Sequence, residues 1–234
     1  ANAFVPDPIP AFVNYVEGIY VGYKFYETAA AEGLIDYDKT VVYPFGRGLS
    51  YTTFTQSLNS VTEADGTITV DVTVTNTGSA SGKEVVEVYY NPPYTNGGIE
   101  KASANLIGFA KTSELAPGAS ENVTVTFKAE DMASYDTYGK GCYVLEKGDY
   151  VISINADSHT VLDSETYTVA SDIVYDASNK RDSDVEVADN KFSFAEGNVT
   201  YLSRANGFAN YAEATAAPAD FELPAEAKAT FYNN

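Results

Sequence analysis

Acids outnumber every other ionisable type in this chain, 33 Asp and Glu among 234 residues. Paired carboxylates are therefore the first chemistry to consider, because glycosidic bonds are cleaved by two carboxyl groups held about 5–10 Å apart. Asp131 and Asp136, in "AEDMASYDTYGKG", are the obvious pair. With acids this frequent, nearness along the chain fixes no separation in space, and the stretch reads as a loop. His159 is the only histidine, so neither a histidine-based triad nor a multi-histidine metal centre can be assembled. It follows "NADS" in a turn and is expected to be exposed. Cys142 stands alone, which excludes an internal disulfide and suits a small buried filler. No glycine-rich loop precedes a helix, so phosphate cradling has no support. Tyr89, Tyr90 and Tyr94, beside "NPPYTNGGIEK", offer a stacking platform for a sugar. Tyrosines at the edge of a sandwich are more often structural, and tryptophan, the largest flat ring, is absent. Asn122 and Asn198 each open an Asn-Val-Thr sequon, a triplet frequent by chance.

Charge narrows the range of partners. Fourteen Lys and Arg against 33 acids leave a formal net charge of −19, which repels phosphate backbones and anionic membrane surfaces. No nucleic acid and no membrane are expected as partners. No apolar run approaches the roughly 20 residues of a membrane helix, and the opening "ANAFVPDPIP" lacks the pattern of a signal peptide. A cytoplasmic placement is preferred to a secreted one.

The elements that must position these groups fall into three stretches. Residues 11–32 form the one helical region, with Tyr15, Ile19, Tyr23 and Tyr26 at spacings of three and four. Gly18 and Gly22 lie on the same side. This stripe is expected to need a covering partner, so the isolated chain is expected to self-associate or to fray there. From Thr52 onward the period becomes two. Ile68, Val70, Val72 and Val74 alternate with Thr69, Asp71, Thr73 and Thr75. Residues 83–91 are apolar on both faces, as in a central strand. Residues 121–129 and 148–156 alternate again, and Leu106–Phe109 and Thr166–Val169 are shorter candidates. Asp65-Gly66, Thr77-Gly78, Pro117-Gly118 and Lys147-Gly148 separate the strands. The pattern predicts a mainly β chain built on an antiparallel immunoglobulin or fibronectin type III-like β-sandwich. Tyr150, just inside a strand after a glycine turn, is placed to be a corner tyrosine bonding back to that turn. Beyond residue 172 the chain is polar and charge-dense, an extended C-terminal connector with one apolar patch, "GNVTYLSRANGF".

The run "VEGIYVGYKFYET…VVYPFGRGLSYTTF" resembles the end of the α/β sandwich domain of glycoside hydrolase family 3, the β-glucosidase family. "VTNTGSASGKEVVEVYY", "ANLIGFAKTSELAPGASENVTVTF" and "MASYDTYGKGCYVLEKGDYVISI" follow in order and resemble the fibronectin type III-like domain of that family. The likeness covers about residues 12–170. Arg47 departs from it, since members often carry an aromatic residue or histidine there, and the insert "PPYTNGGIEK" is longer than in many. The patch at 197–208 is similar to the connector of members with reversed domain order, which leads into a catalytic (β/α)8 barrel. The resemblance implies residues 1–54 as the end of the α/β sandwich domain and joint, 55–171 as the fibronectin-like domain, and 172–234 as connector. It implies a parent hydrolase acting on terminal β-linked glycosyl residues, whose nucleophile and acid/base lie outside this chain. No catalytic residue, cofactor-binding residue or metal ligand is assigned to this chain, and no cofactor. Its expected partners are the α/β sandwich body and barrel of the parent, with a β-glycoside as the parent's substrate. "YPFGRGLSY" is then an interdomain joint, with Pro44, Gly46 and Gly48 shaping the backbone and the rings burying the seam. A carbohydrate-binding module and a surface adhesion or assembly domain are the alternatives from other classes.

Overall fold

The computed structural model describes residues 15–188, 190, 194, 199–217, 225 and 229. Its centre is a β-sandwich. One sheet has the order β1-β2-β5, from Phe54–Ala64, Thr67–Asn76 and Ser120–Lys128. The facing sheet has the order β4-β3-β8-β9, from Asn105–Lys111, Val85–Asn91, Gly148–Asn155 and Val161–Val169. A small third sheet joins β10 (Ile173–Tyr175), β7 (Tyr143–Leu145) and β6 (Ser134–Tyr135) in that order. Neighbouring strands pair antiparallel throughout. The mainly β reading of the sequence holds.

The core follows from the alternation. Ile68, Val70, Val72 and Val74 are fully buried along β2, while the residues between them face outward. Val125 and Val123 of β5 pair in register with Val70 and Val72. Val86 and Val88 of β3 and Tyr150, Ile152 and Ile154 of β8 close the other side, also fully buried. Each such side chain contributes roughly 1.5–3 kcal/mol over its exposed form.

β3 is buried on both faces for a specific reason. Its register with β4 shifts between Val88 and Tyr89, and Tyr89 is buried directly after Val88. The ring of Tyr89 meets Tyr23 edge-on at 6.1 Å, so the outer side of this sheet is covered by the N-terminal segment. Tyr150 fulfils the corner role, donating its hydroxyl to the Glu146 carbonyl at 3.1 Å.

The N-terminal helix departs from the 11–32 expectation. Helix α1 spans Tyr23–Ala31, residues 15–22 form turns, and residues 11–14 lie outside the described residues. Gly18 and Gly22 have φ of 56° and 58°, a conformation that breaks a right-handed helix and that side-chain-bearing residues rarely adopt. The expected stripe is therefore not one face. Tyr15 and Ile19 are 73% and 45% exposed, and the buried residues are Tyr20, Glu27, Thr28 and Ala29. A second helix, α2, follows at Tyr37–Thr40, capped by Asp36.

The ring-lined joint also differs. Tyr43, Leu49 and Tyr51 are 72%, 95% and 102% exposed, so these side chains do not bury the seam. Phe45 alone stacks, on Tyr23 at 4.6 Å. Among the described residues no helix is long and apolar enough to cross a membrane.

Candidate functional site at the joint

Beside the sandwich sits a second, smaller core made by three distant segments. Tyr20 and Ala29 come from the N-terminal segment, and Ala102 from the β3–β4 loop. Leu202, Phe208 and Ala214 come from the C-terminal stretch. A left-handed turn at Ala205–Phe208 carries Phe208, and a one-turn helix at Tyr211–Ala214 carries Ala214. Phe208 has φ of 60°, a left-handed backbone that a bulky residue adopts only under constraint. That conformation goes with a ring 1% exposed, packed edge-on to Tyr20 at 5.0 Å. Leu202 N–H also donates to the Val16 carbonyl at 2.7 Å.

Polar groups lock this small core from two sides. On the first, Glu27 of α1 is 7% exposed and its carboxylate accepts three bonds. The donors are the Tyr37 hydroxyl at 2.6 Å, the Ser158 hydroxyl at 2.7 Å and His159 Nδ1 at 2.8 Å. The His159 ring lies flat on Tyr37, 3.7 Å between centroids. Burial pushes the Tyr37 hydroxyl well above the ordinary tyrosine range, and its bond to Glu27 adds to the shift. Tyr23 and Thr28 complete this side by accepting from the backbone N–H of Leu106 at 2.9 Å and of Ser103 at 3.0 Å.

On the second side, Glu100 accepts from the Tyr20 hydroxyl, from the Ser203 hydroxyl and from Arg204 N–H. Arg204 in turn donates to Glu32 Oε1 at 2.6 Å and to the Lys101 carbonyl at 3.0 Å, and its guanidinium lies 4.3 Å over the Tyr94 ring. Lys101, 2% exposed, is paired with Glu146 and donates to the Pro93 carbonyl at 2.7 Å. Lys101 and Arg204 each have a carboxylate partner, and Glu27 and Glu100 are each met by three hydrogen-bond donors, the condition under which burial is tolerated. Burial first, and the Glu100 carboxylate second, raise the Tyr20 hydroxyl far above its usual range.

The residues singled out by sequence fall largely outside this arrangement. Asp131 accepts from Lys128 N–H at 3.1 Å, closing a 3₁₀ turn at Ala129–Met132. Asp136 accepts from Gly139 N–H and Lys140 N–H at 2.9 and 2.8 Å. Both carboxylates are committed to local turns. Tyr89 is buried and donates to Glu87 at 2.8 Å, and Tyr94 lies under Arg204, so these rings build structure rather than a platform. Cys142 is buried, and burial raises its thiol. Asn122 faces outward on β5, and Asn198 lies outside the described residues. His159, bonded to Glu27, and Tyr94, under Arg204, join the seam. His159 is exposed as expected, with 44% of its side chain open, and its ring is in addition bonded to Glu27.

Glu27, Glu100, Lys101, Ser158 and Arg204 had no motif to announce them. The one usable signal was the rarity of positive charge: Lys101 and Arg204 are two of 14 basic residues in an acidic chain. Among the described residues no group of three or more His, Cys, Asp or Glu is arranged to hold a metal ion.

Comparison with known proteins identifies the sandwich. Residues 84–158 match the fibronectin type III-like domain family. The chain is 39% identical to β-glucosidase A of Butyrivibrio fibrisolvens over 189 residues, covering 72% of this chain and 22% of that protein. Among solved structures, β-glucosidase 3B of Thermotoga neapolitana is 35% identical with a TM-score of 0.58, over 67% of this chain and 20% of that one. The β-glucosidase of Kluyveromyces marxianus is 31% identical with a TM-score of 0.60, over 69% and 18% respectively. The chain thus spans about a fifth of the length of the relatives it matches. Over the part it spans, it belongs to the glycoside hydrolase family 3 β-glucosidases and carries their fibronectin type III-like domain.

Proposed function

We propose that this chain is a non-catalytic central portion of a β-glucosidase-like hydrolase, which holds the catalytic domains of its parent in register. The reading rests on one observation. The incoming segment, residues 15–36, and the outgoing segment, residues 199–217, share a single core on one side of the sandwich. The Arg204–Glu32 pair and the Glu100 hub fasten them together. A sandwich built in this way fixes the direction in which the chain arrives relative to the direction in which it leaves. In the parent, residues 1–54 would end an α/β sandwich domain and residues 172–234 would lead to a barrel, the reversed domain order. Two distant carboxyl groups could then meet across one β-linked sugar. Neither is assigned to this chain, nor is any cofactor or metal.

The test uses the parent hydrolase and the 234-residue chain side by side. The chain alone is expected to leave an aryl β-glucoside intact. In the parent, Arg204→Ala is expected to lower kcat/KM at least about tenfold through misplacement of the two carboxyls, with the melting of the sandwich unchanged. Turnover by the chain alone, abolished by substituting any one of its acids, would overturn the reading.

A further inference from the structure

Beside the seam, the loop between β3 and β4 and the hairpin between β6 and β7 face each other across a groove whose far end is closed by Tyr20 and Leu202 of the small core. The groove has two lobes, of about 420 and 410 Å³. Both are lined by Gly97, Gly98, Glu100, Thr137 and Tyr138, so the two are continuous. Each lobe alone has the size of a small-ligand site, roughly 300–1,000 Å³.

Its walls are fastened independently of any ligand. Gly98 N–H donates to the Thr95 carbonyl at 2.8 Å. Asn96 and Asn206 exchange two hydrogen bonds of 2.8 and 2.7 Å, pinning the outgoing segment to the loop. Across the groove, a Cβ on Gly139 would lie 2.3 Å from Asp136 Oδ2, so the hairpin turn closes directly on its own carboxylate. At the rim Tyr138 presents its ring to solvent, 82% exposed.

The lining chooses among ligand classes. Among the described residues it holds one lysine, Lys140, against Glu100, Asp136, Glu146 and Asp172, so an anion is repelled. The acids are already engaged. Glu100 accepts three bonds, Asp136 caps its turn, Glu146 pairs with Lys101, and Asp172 accepts from Lys147 N–H at 2.8 Å. A bare cation would need carboxylates free of such partners. An apolar ligand would strip water from these charges without replacing it. A neutral polyhydroxylated molecule suits both features, with hydroxyl donors for spare carboxylate lone pairs and a C–H face for the open tyrosine ring.

We propose that this groove is an accessory binding site for a neutral oligosaccharide, with Tyr138 as its stacking plate. Tyr89, Tyr90 and Tyr94 take no part. The site makes and breaks no bond; it retains a saccharide chain beside the hydrolase.

The test is titration of the folded 234-residue chain with cellopentaose, xylopentaose and maltopentaose, followed by the amide resonances of Gly97, Gly98 and Gly139. Saturable shifts confined to these residues are expected with at least one of the three, and the one that binds identifies the linkage. Tyr138→Phe should retain the affinity, and Tyr138→Ala should weaken it about tenfold, with the Gly139 and Gly98 resonances otherwise native in the free protein. Absence of saturable shifts with all three sugars at millimolar concentration would overturn the proposal. So would equal binding by Tyr138→Ala, or shifts mapping elsewhere. Because no turnover is measured, failure here leaves the domain-register reading intact, and failure of that reading leaves this one intact.

Discussion

The sandwich and the seam beside it are held by opposite means. Ile68, Val70, Val72, Ile152 and Ile154 meet across two sheets with no polar atom among their side chains. In the seam Glu27 and Glu100 gather hydroxyl, imidazole and backbone donors, while Lys101 pairs with Glu146 and Arg204 with Glu32. The first kind of contact is forgiving in direction and scales with area. The second is unforgiving, because removing one member leaves another charge buried without its partner. One region therefore stores stability, and the other stores geometry.

The contrast is broken most directly by a pair of truncations. Ile152→Ala should destabilise the whole chain by roughly 2–5 kcal/mol, lowering the denaturation midpoint seen by every probe. Glu27→Ala leaves the Tyr37, Ser158 and His159 donors unmatched, at about 1–3 kcal/mol, yet the loss should stay local. Hydrogen exchange should quicken in Tyr23–Ala31 and remain slow in Thr67–Asn76. Equal acceleration in both would mean that seam and sandwich unfold as one unit.

Tyr150→Phe sharpens the comparison from within the sandwich, since it removes a single hydroxyl bonded to Glu146 from an otherwise apolar core. It should cost about 1 kcal/mol, measured as a shift in urea midpoint without change in slope. An unchanged midpoint would show that the corner bond contributes nothing.

The smallest effect concerns Glu87 on β3, whose carboxyl is raised above its ordinary range by burial, with the Tyr89 hydroxyl bond opposing. A raised acid favours the folded state while it is neutral. Its contribution is fully present below the unfolded carboxylate range and fades as pH rises through the raised value. Glu87→Gln should therefore match the parent chain in acid and melt higher than it near neutrality. A melting difference independent of pH would refute the assignment.

How legible each region was follows from the same physics. β2 could be read residue by residue, because strand alternation alone decides that Ile68, Val70, Val72 and Val74 face one way. Tyr150 could be placed because the glycine turn before it fixes where its hydroxyl reaches. β1, β6, β7 and β10 carried weaker patterns; two of them are three residues long and one is two. The seam was opaque. Ser158 and Glu27 are bonded at a separation of 131 residues, and Arg204 and Glu32 at 172, and no local period links such positions. Gly18 and Gly22 are visible in the sequence, but their spacing of four suits a helix face while their positive φ excludes one. The groove was invisible for the same reason as the seam, since its lining comes from two loops and from both the incoming and outgoing segments.

The shared core of the incoming and outgoing segments also has a mechanical meaning. Tension applied through the chain at residues 15–36 and 199–217 would be met first by contacts between those two segments. The Arg204–Glu32 pair and the Leu202–Val16 bond would peel apart one after another, as a zipper does. The paired strands of the sandwich would share that load only where Leu106 of β4 and the β3–β4 loop bond to the same segments. A module tied off in this way can be gained, lost or exchanged whole, because its neighbours are linked through the clasp rather than through its core.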